Sequence, residues 1–505
     1  MTGKQLSRRR LLAAVGLAGA LSGCAELTGD SSRPGDSTSA TRTETDESTP
    51  NPTTADAQEG GELTGDYRIH NFVERDSTDL VLNGDVFRYN GLSSLLTMTI
   101  DPLREQWVDQ VMDVARASDV NAIRCWGFPP TFDPAAGSVH AAPGEFDEEW
   151  FGVFDYTVAR AKEAGVRLVV PLLQGVHVDA SNERRNYAPS PATYGEWSDT
   201  ADYTQYTKDF IEDDQANEYF KEYIEHLLTR ENQYTGVEYR DEPTILVWEC
   251  ANELEFHHPD RVGDSLDFWY QDIGSFVTSL GAQQLVGTGM HGATGDVYEP
   301  WTVRCDFVQD HRADAIDVCS FHHYPVSGRP ETSVRVRSPE LTRRYMEHKV
   351  ALAYEEVGKP VYCGEYGVPY LSESIGEVLV SRLETAEEAS DVESNAEYPM
   401  AYPDQHDDGV LVTRREHLDW ESYGLKKRND YFRYATEVAA DTGLEGVHWW
   451  RLIPARIPEE VGEDELPDYR MEELGSAILH DDQETFDVIQ AYAERNAQNT
   501  TDRSA

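Results

Sequence analysis

The sequence predicts an α/β protein built as a (β/α)8 TIM barrel. Eight short apolar runs are typical of buried parallel strands, and helical patterns separate most of them. Polar and aromatic residues follow several runs directly, where barrel enzymes keep their functional groups. A length of 505 residues suits such a barrel with long insertions. A doubly wound open sheet is the alternative that the same alternation allows.

The predicted strands and helices alternate along the chain. We expect strands over residues 86–96, 121–126, 167–172, 244–250, 284–287, 315–321, 360–363 and 446–450. Helical patterns occupy 103–118, 150–164, 216–230, 264–280, 341–357, 431–442 and 484–496. Two long insertions, near 174–214 and 370–425, follow predicted strands. Loops after barrel strands meet at the functional end, so both insertions are expected to wall a cleft. Acidic surface decoration is the other interpretation.

The charge balance is strongly acidic. Asp and Glu number 93 against 43 Lys and Arg, which gives a formal net charge of -50, and only 8 of the basic residues are lysines. A nucleic-acid-binding surface needs the opposite sign, so that partner is excluded. Self-repulsion at this charge opposes a compact state in dilute buffer. In molar salt the Debye length falls to about 3 Å, so the composition predicts a halophile protein.

The amino-terminal region predicts export. Residues 7–24 combine Arg8 and Arg9 with a short apolar run, typical of a twin-arginine signal peptide. The run ends at Cys24 in a lipobox-like LSGC, which predicts lipidation there; a plain cleaved signal with an incidental cysteine is the alternative. Residues 25–62 have the composition of a disordered tether. We therefore expect a folded domain over 63–505, held outside the cell and touching the membrane only through a lipid.

The five remaining cysteines lack metal-site spacing. Four of them lie within apolar runs, so they are interpreted as small core residues rather than zinc ligands. The five are Cys125, Cys250, Cys305, Cys319 and Cys363.

Two glutamates dominate the predicted strand ends. Glu253 follows the fourth strand and Glu365 ends the seventh, 112 positions later. Such a pair suits glycoside hydrolysis, in which one carboxyl protonates the leaving oxygen and the other attacks the anomeric carbon. A nearby cation, Arg124, favours the ionised nucleophile. The same strand ends also present Trp126, Asn252, His322, Tyr324 and Trp450.

These segments resemble glycoside hydrolase family 5, and within it the endo-β-1,4-mannanases. The resemblance covers most of residues 80–455 and is strongest in LLTRENQYTGVEYRDEPTILVWECANELE. VNAIRCWGF, FHHYP and GKPVYCGEYG resemble the second, sixth and seventh strands of the same enzymes. The family implies a retaining, cofactor-free hydrolase acting on β-mannan, glucomannan or a related β-glucan.

The resemblance also implies a role for each residue. Glu253 would be the acid/base and Glu365 the nucleophile. Asn252 would bind the 2-hydroxyl of the sugar at the cleavage point, and Arg124 with Tyr324 would hold the nucleophile. The remaining substrate-binding positions would be Trp126, His322 and Trp450.

Three stretches depart from the family pattern. After the third strand, the usual tryptophan and paired asparagines are absent, and His177 is the candidate replacement contact. Leu254 replaces the proline that usually follows the acid/base. His291 lies where other polar contacts are expected after the fifth strand. These departures bear on substrate identity more than on the catalytic step.

Several neighbouring residues have structural interpretations. Glu249 is expected to be a barrel-interior carboxylate paired with a neighbour, and Trp248 a core residue. His322 with His323 could be a metal pair, but no carboxylate sits at ligand spacing in the sequence, so no metal is predicted. Trp449 and Trp450 must point to opposite faces of a strand, and Trp450 is assigned to the cleft.

Two further functions compete with a mannanase. One is a β-1,4-glucanase of the same family, because the departures obscure sugar identity. The other is a non-catalytic polysaccharide-binding lipoprotein, which normally lacks a catalytic carboxylate. The presence of both Glu253 and Glu365 favours the enzyme.

Overall fold

The computed structural model describes part of the chain. The described residues are 62–95, 104–128, 138–175, 189–198, 208–254, 263–294, 305–327, 334–337, 339–368, 410–413, 425–453, 478–479 and 482–503. The chain divides into two units, Met1–Ala57 and Gln58–Ala505, and every described residue belongs to the second. The predicted signal peptide, Cys24 and, apart from Glu62, the tether lie outside the described residues. No described helix is both long and apolar enough to cross a bilayer.

Eight parallel strands form the central sheet, as predicted. In sheet order they are β10 Leu285–Gly287, β9 Ile245–Glu249, β8 Arg167–Pro171, β5 Ala122–Arg124, β4 Tyr89–Ser93, β16 Gly446–Trp449, β14 Val361–Tyr366 and β11 Cys319–His323. A parallel bridge between Gly287 and Val318 joins the two edge strands. The sheet therefore curls into a barrel, and the open doubly wound alternative is wrong.

Helices cover the outside of the barrel. Their bounds are Arg104–Ala117, Glu148–Ala164, Pro191–Ser198, Lys208–Ile211, Asp214–Thr229, Asp267–Ser279, Phe307–Arg312, Pro339–Ala351, Leu425–Thr442 and Gln483–Arg503, with a 3-10 turn at Tyr239–Asp241 and a π-helical turn at Leu352–Val357. Local signals define their ends. Asp147 accepts hydrogen bonds from two first-turn amides of Glu148–Ala164, and Gly165 ends that helix in the left-handed conformation, φ 77°.

A three-stranded antiparallel sheet closes the amino-terminal end of the barrel. It consists of β1 Glu74–Asp76, β2 Asp79–Leu82 and β3 Asp85–Val86. Leu80 from β2 packs in the barrel interior with Tyr89, Val247 and Tyr362. The prediction merged β3 with the first barrel strand, because apolar residues run on from Val86 to the barrel.

Four short strand pairings decorate the barrel. They involve β6 His140–Ala142, β7 Glu145–Phe146, β12 Val326–Ser327, β13 Val334–Arg337, β15 Val410–Thr413, β17 Leu452–Ile453 and β18 Ile478–Leu479. β15 belongs to the second predicted insertion and pairs with β13, which follows β11. The first insertion contains the helices Pro191–Ser198 and Lys208–Ile211. The prediction missed these elements because each is too short for a periodic signal.

Most of the core lies between the strands and the helices. Trp248 is fully buried there, as expected for a core residue. All five described cysteines are buried free thiols, which agrees with their interpretation as core residues. The barrel interior is different, because it combines a small apolar cluster with charged and aromatic groups that continue toward the carboxyl-terminal strand ends.

Candidate active site

The chain leaves β9 in an unusual conformation. After Glu249 it passes through Asn252 to Glu253, whose φ of 48° lies in the left-handed region. That region costs a non-glycine residue roughly 1–2 kcal/mol. The Glu253 amide donates to the Gly289 carbonyl at 2.9 Å, which holds this turn against the end of β10. The turn directs a partly exposed carboxylate over the barrel mouth, its side chain 18% accessible.

Glu365 lies opposite on β14 and is buried. Its Oε1 accepts from Arg124 Nη1 at 2.7 Å, and its Oε2 accepts from the Tyr324 hydroxyl. Both contacts match the prediction that Arg124 and Tyr324 hold this carboxylate. β14 shifts register around Gly364 and Glu365, and such irregularities re-aim side chains beside functional sites.

His322 on β11 lies between the two glutamates. Its Nδ1 is 2.5 Å from Glu253 Oε1 and 3.6 Å from Glu365 Oε2. Burial lowers the pKa of His322 to about 4, although the Glu365 carboxylate opposes that shift. The imidazole is therefore neutral near neutral pH. The short contact joins the His322 imidazole to the Glu253 carboxyl.

Burial raises the pKa of Glu365 above its ordinary value. The charge of Glu253 acts in the same direction, while His322, Arg124 and the Tyr324 hydrogen bond lower the pKa. The expected effect of Arg124 is present, but burial outweighs it. Glu365 therefore needs a higher pH to ionise than an exposed glutamate does.

Arg124 connects the site to the barrel interior. Its guanidinium contacts Glu365 on one side and Glu249 on the other, both at 2.7 Å. Its Nη2 also donates to Asn252 Oδ1 at 2.9 Å. Burial alone would lower the pKa of Arg124, but the two carboxylates raise it, so the cation is permanent. Glu249 thus has the paired interior position that its place on the strand predicted.

The other predicted site residues have varied positions. Trp126 is buried, with the Arg124 guanidinium 5.8 Å from its ring centre. Trp450 is 9% exposed, whereas Trp449 is fully buried and donates to Asn90. The peptide bond between Trp450 and Arg451 is cis. His291 is half-buried and its carbonyl accepts from the His322 amide at 2.9 Å. His177 lies outside the described residues.

Glu253, His322 and Glu365 have the proximity of a metal-binding cluster. One ligand atom from each lies within 4.8 Å of the other two. The spacing of carboxylates around His322 and His323 in the sequence gives no sign of this cluster, because the fold joins residues that are distant in sequence. The expectation that no metal binds here stays a prediction.

Three contributors were missed or underrated in the sequence. Gln174 accepts from Asn252 Nδ2 at 3.0 Å, and the Tyr362 hydroxyl donates to Glu249 at 2.5 Å. Glu249 was assigned a pairing role without a partner. Strand alternation places Tyr362 and Glu365, three residues apart, on opposite faces. Only the register shift between them in the folded sheet brings both toward the barrel interior, so the sequence gives no sign of the Tyr362 contact.

Comparison with known proteins identifies the family. A family profile described as "GH family 5 beta-mannosidase-like" matches residues 71–500. The chain belongs to this glycoside hydrolase family 5 group. It is therefore a glycosidase of the mannanase-like type, and its barrel is the family's fold.

Individual relatives agree with the family assignment. The chain is 31% identical over 313 residues to mannan endo-1,4-β-mannosidase 2 of Oryza sativa subsp. japonica, covering 59% of this chain and 68% of the relative. It is 29% identical over 311 residues to mannan endo-1,4-β-mannosidase 3 of Arabidopsis thaliana, covering 59% and 72%. Among solved structures, the endo-β-1,4-mannanase from Thermotoga petrophila has the same fold, with a TM-score of 0.58 and 24% identity over 82% of this chain and 77% of that one.

Proposed function

We propose that this family 5 enzyme hydrolyses β-1,4-linked mannan or glucomannan with retention of configuration. The main support is the proximity of Glu253 and Glu365, since a carboxylate oxygen of one lies within 4.8 Å of a carboxylate oxygen of the other. Retaining glycosidases place their carboxyls about 5–5.5 Å apart, whereas inverting enzymes leave a wider gap for water. The named activity of the plant relatives supports mannan as the substrate.

In the first step, Glu365 attacks the anomeric carbon and forms a glycosyl ester. The glycosidic carbon–oxygen bond breaks as Glu253 delivers a proton to the leaving oxygen. In the second step, Glu253 takes a proton from water, the water oxygen attacks the same carbon, and Glu365 is released as a carboxylate. Asn252, held by Arg124 and Gln174, is available to bind the sugar 2-hydroxyl.

His322 fits this cycle through its contact with Glu253. A neutral imidazole beside the acid/base can accept or return a hydrogen bond as Glu253 gains and loses its proton. The exposed side of Glu253 meets the barrel mouth, where a leaving group and then water must arrive. Trp450 at the end of β16 offers a flat apolar face for a sugar ring.

The decisive assay is reducing-sugar release from mannan, glucomannan and carboxymethyl-cellulose in concentrated sodium chloride. Glu365→Ala and Glu253→Gln should each lower turnover by about 10²–10⁴-fold or more, because each removes a reacting group. Glu242→Gln is the control, since Glu242 is a buried glutamate that precedes β9 and pairs with Lys162 instead of the site residues. Activity on cellulose alone would move the substrate to β-glucan. Normal turnover by Glu365→Ala would refute the nucleophile.

The proposal extends to location and working conditions. Residues 7–24 support twin-arginine export and lipidation at Cys24, and the net charge of -50 supports function in concentrated salt. In an archaeal or bacterial host with this export route, Cys24→Ser should move the protein from the membrane fraction to the medium. Full structure and activity in dilute buffer would contradict the halophile part.

A further inference from the structure

Glu249 is a fully buried carboxylate that the two-glutamate reaction does not use. Its Oε2 accepts from Arg124 Nε at 3.0 Å and from Nη2 at 2.7 Å. Its Oε1 accepts from the Tyr362 hydroxyl at 2.5 Å. Both carboxylate oxygens are therefore occupied by donors that themselves lie in the barrel interior.

The guanidinium of Arg124 is rigid, and its two sides serve different carboxylates. Nε and Nη2 face Glu249, whereas Nη1 faces Glu365 at 2.7 Å. Because a guanidinium is planar, fixing two of its nitrogens also fixes the direction of the third. The position of Glu249 therefore determines where Arg124 meets Glu365.

The surrounding packing leaves Glu249 little freedom. A Cβ added at Gly289 would lie 2.0 Å from the Ala251 carbonyl oxygen and 3.0 Å from both Cβ and Oε2 of Glu249, so a side chain there would crowd this carboxylate as well as the backbone. The ring of Tyr362 packs against those of Tyr89 and His448, with centroids 6.3 and 5.9 Å apart. The donor and the acceptor are thus both held in place before substrate arrives.

We propose that Glu249 and Tyr362 are positioning residues for the nucleophile, acting through Arg124. This inference rests on the proposed function of Glu365. The two residues would set the orientation of the guanidinium, and Arg124 would set the Glu365 oxygen that attacks the anomeric carbon. Neither Glu249 nor Tyr362 would touch the sugar.

The first test separates positioning from binding and from stability. Glu249→Gln should lower kcat by about 100-fold, the scale of a small misplacement of a reacting group, with KM within about threefold of wild type. Tyr362→Phe, which retains the ring, should lower kcat by about 3- to 10-fold. Glu242→Gln, in the Lys162 ion pair at the other end of β9, should leave kcat unchanged even where it lowers the melting temperature.

The second test asks whether Glu249 acts through Arg124. In an Arg124→Lys background, Glu249→Gln should lower kcat/KM by less than about threefold, because the guanidinium that Glu249 orients is already absent. Equal costs in both backgrounds would mean a general structural role and would overturn the inference. An activated aryl glycoside keeps the weakest variants measurable.

The outcome also distinguishes this inference from the proposed function. If Glu365→Gln abolishes turnover while Glu249→Gln and Tyr362→Phe turn over normally, the positioning role is wrong and the nucleophile stands. If Glu365→Gln remains active, the proposed function fails first.

A second inference concerns a cavity at the closed end of the barrel. It has a volume of about 340 Å³, and the residues lining it include two arginines, a histidine and three asparagines but no acidic residue among the described ones. Its polar lining is formed by Arg68, His70, Asn71, Asn83, Asn121 and Arg167. A lining without carboxylates is unusual for a chain with 93 acidic residues.

Arg167 is the distinctive member of this lining. It is only 6% exposed, and its guanidinium donates to the carbonyls of Pro243 at 2.6 Å and Asn71 at 3.0 Å. Within the described residues no carboxylate pairs with it, whereas Arg124 pairs with two and Arg428 with one. Burial lowers the pKa of Arg167 to about 10, so it is still charged at neutral pH. Two carbonyls leave three of its five N–H groups for another acceptor.

We infer that this cavity binds a small oxyanion, a carboxylate or sulfate-type group, between Arg167 and the rim residue Arg68. Guanidinium groups match oxyanions with paired hydrogen bonds, and the asparagine amides add donors. Arg68 is exposed and makes no described side-chain hydrogen bond or ion pair. Arg68→Gln therefore tests the site without disturbing the fold.

The experiment is thermal unfolding in sodium sulfate and sodium chloride at matched ionic strength. Sulfate stabilises every variant by exclusion, so the informative quantity is the additional, saturable increment. Wild type and Arg75→Gln, an exposed control that does not line the cavity, should gain about 2–4 °C, and Arg68→Gln should gain less than half of that. Equal gains in all three proteins would refute the site.

Discussion

The buried Lys162 and Arg124 ion pairs lie at opposite ends of the barrel, and they differ in how many carboxylates share the cation. At the amino-terminal end, Lys162 Nζ meets Glu242 Oε2 at 2.9 Å. The other oxygen of Glu242 accepts from the amide and hydroxyl of Thr244. In this pair one cation neutralises one carboxylate, and Thr244 supplies the hydrogen bonds to the second oxygen of Glu242.

At the carboxyl-terminal end, one cation serves two carboxylates. Arg124 contacts Glu249 and Glu365 at 2.7 Å each, and Glu253 adds a third negative group near Glu365. Burial raises the pKa of Glu365 although Arg124 opposes the shift. The one-to-one Lys162–Glu242 pair therefore lies away from the candidate site, whereas Glu365, the candidate nucleophile, shares its cation with a second carboxylate.

The largest test of this comparison removes the cation at each end. Arg124→Met should lower the free energy of unfolding by about 3–5 kcal/mol, because two carboxylates are left buried without a charge partner, and should abolish turnover. Lys162→Met should cost less, about 1–3 kcal/mol, since Thr244 still donates to Glu242. Denaturant unfolding and reducing-sugar assays measure both effects.

The activity of the folded fraction is the sharper readout of that pair. Lys162→Met should turn over at the wild-type rate once the folded fraction is taken into account. A loss of turnover as large as that of Arg124→Met would show that the two ends are not functionally distinct.

Asp310 extends the comparison to a buried carboxylate with no cation in the described part of the chain. It accepts only from the Ser265 hydroxyl and from the amides of Leu266 and Asp306, and burial raises its pKa to about 7. A folded-state pKa above the unfolded value of about 3.9 favours the protonated folded protein. Its stabilising contribution is complete below about pH 4 and is lost as the pH rises through 7.

Asp310→Asn should therefore flatten the pH dependence of stability. Between pH 4 and 7.5 the free energy of unfolding of wild type should fall by roughly 2–4 kcal/mol more than that of the variant. Urea unfolding at fixed, high sodium chloride measures this difference. Parallel curves for the two proteins would mean that the pKa of Asp310 is the same in the folded and unfolded states.

A smaller effect is expected from crowding His322. A Cβ at Gly364 would lie 2.8 Å from His322 Nε2, so Gly364→Ala should push the imidazole away from Glu253. Turnover should fall by about 10- to 100-fold, and the overpacking should cost about 1–3 kcal/mol of stability. Gly152→Ala is the control, because its nearest neighbour would be 3.5 Å away. Wild-type turnover in Gly364→Ala would separate His322 from the reaction.

The sequence predicts the repeating architecture well because apolar strands are long enough to be periodic. All eight barrel strands lie within a few residues of their predicted positions. The sequence does not predict the short elements, such as β1–β3 and the helix Phe307–Arg312, because a few residues are too few to show a hydrophobic periodicity. Because functional groups of such barrels lie at the carboxyl-terminal strand ends, the sequence also predicts that Glu253, Glu365, His322 and Tyr324 lie close together.

What could not be predicted depends on contacts across the barrel. The chain spacing of Glu249 and Tyr362 contains no sign that they meet, since the contact depends on register between strands that are not neighbours in sequence. The direction of the pKa shift of Glu365 also depends on how deeply its carboxyl is buried. An arginine nearby favours ionisation, but only the folded structure shows that dehydration is stronger.

The left-handed backbone conformation of Glu253 lowers the stability of every folded molecule, with or without substrate. Glycine adopts a φ of 48° without penalty, so Glu253→Gly should be inactive yet at least as resistant to heat as wild type, gaining up to about 1 kcal/mol. Differential scanning calorimetry would detect that gain, and a clear loss would mean that the side chain itself supports the fold. Selection for thermostability alone should therefore favour glycine at position 253, whereas selection for growth on polysaccharide should favour glutamate.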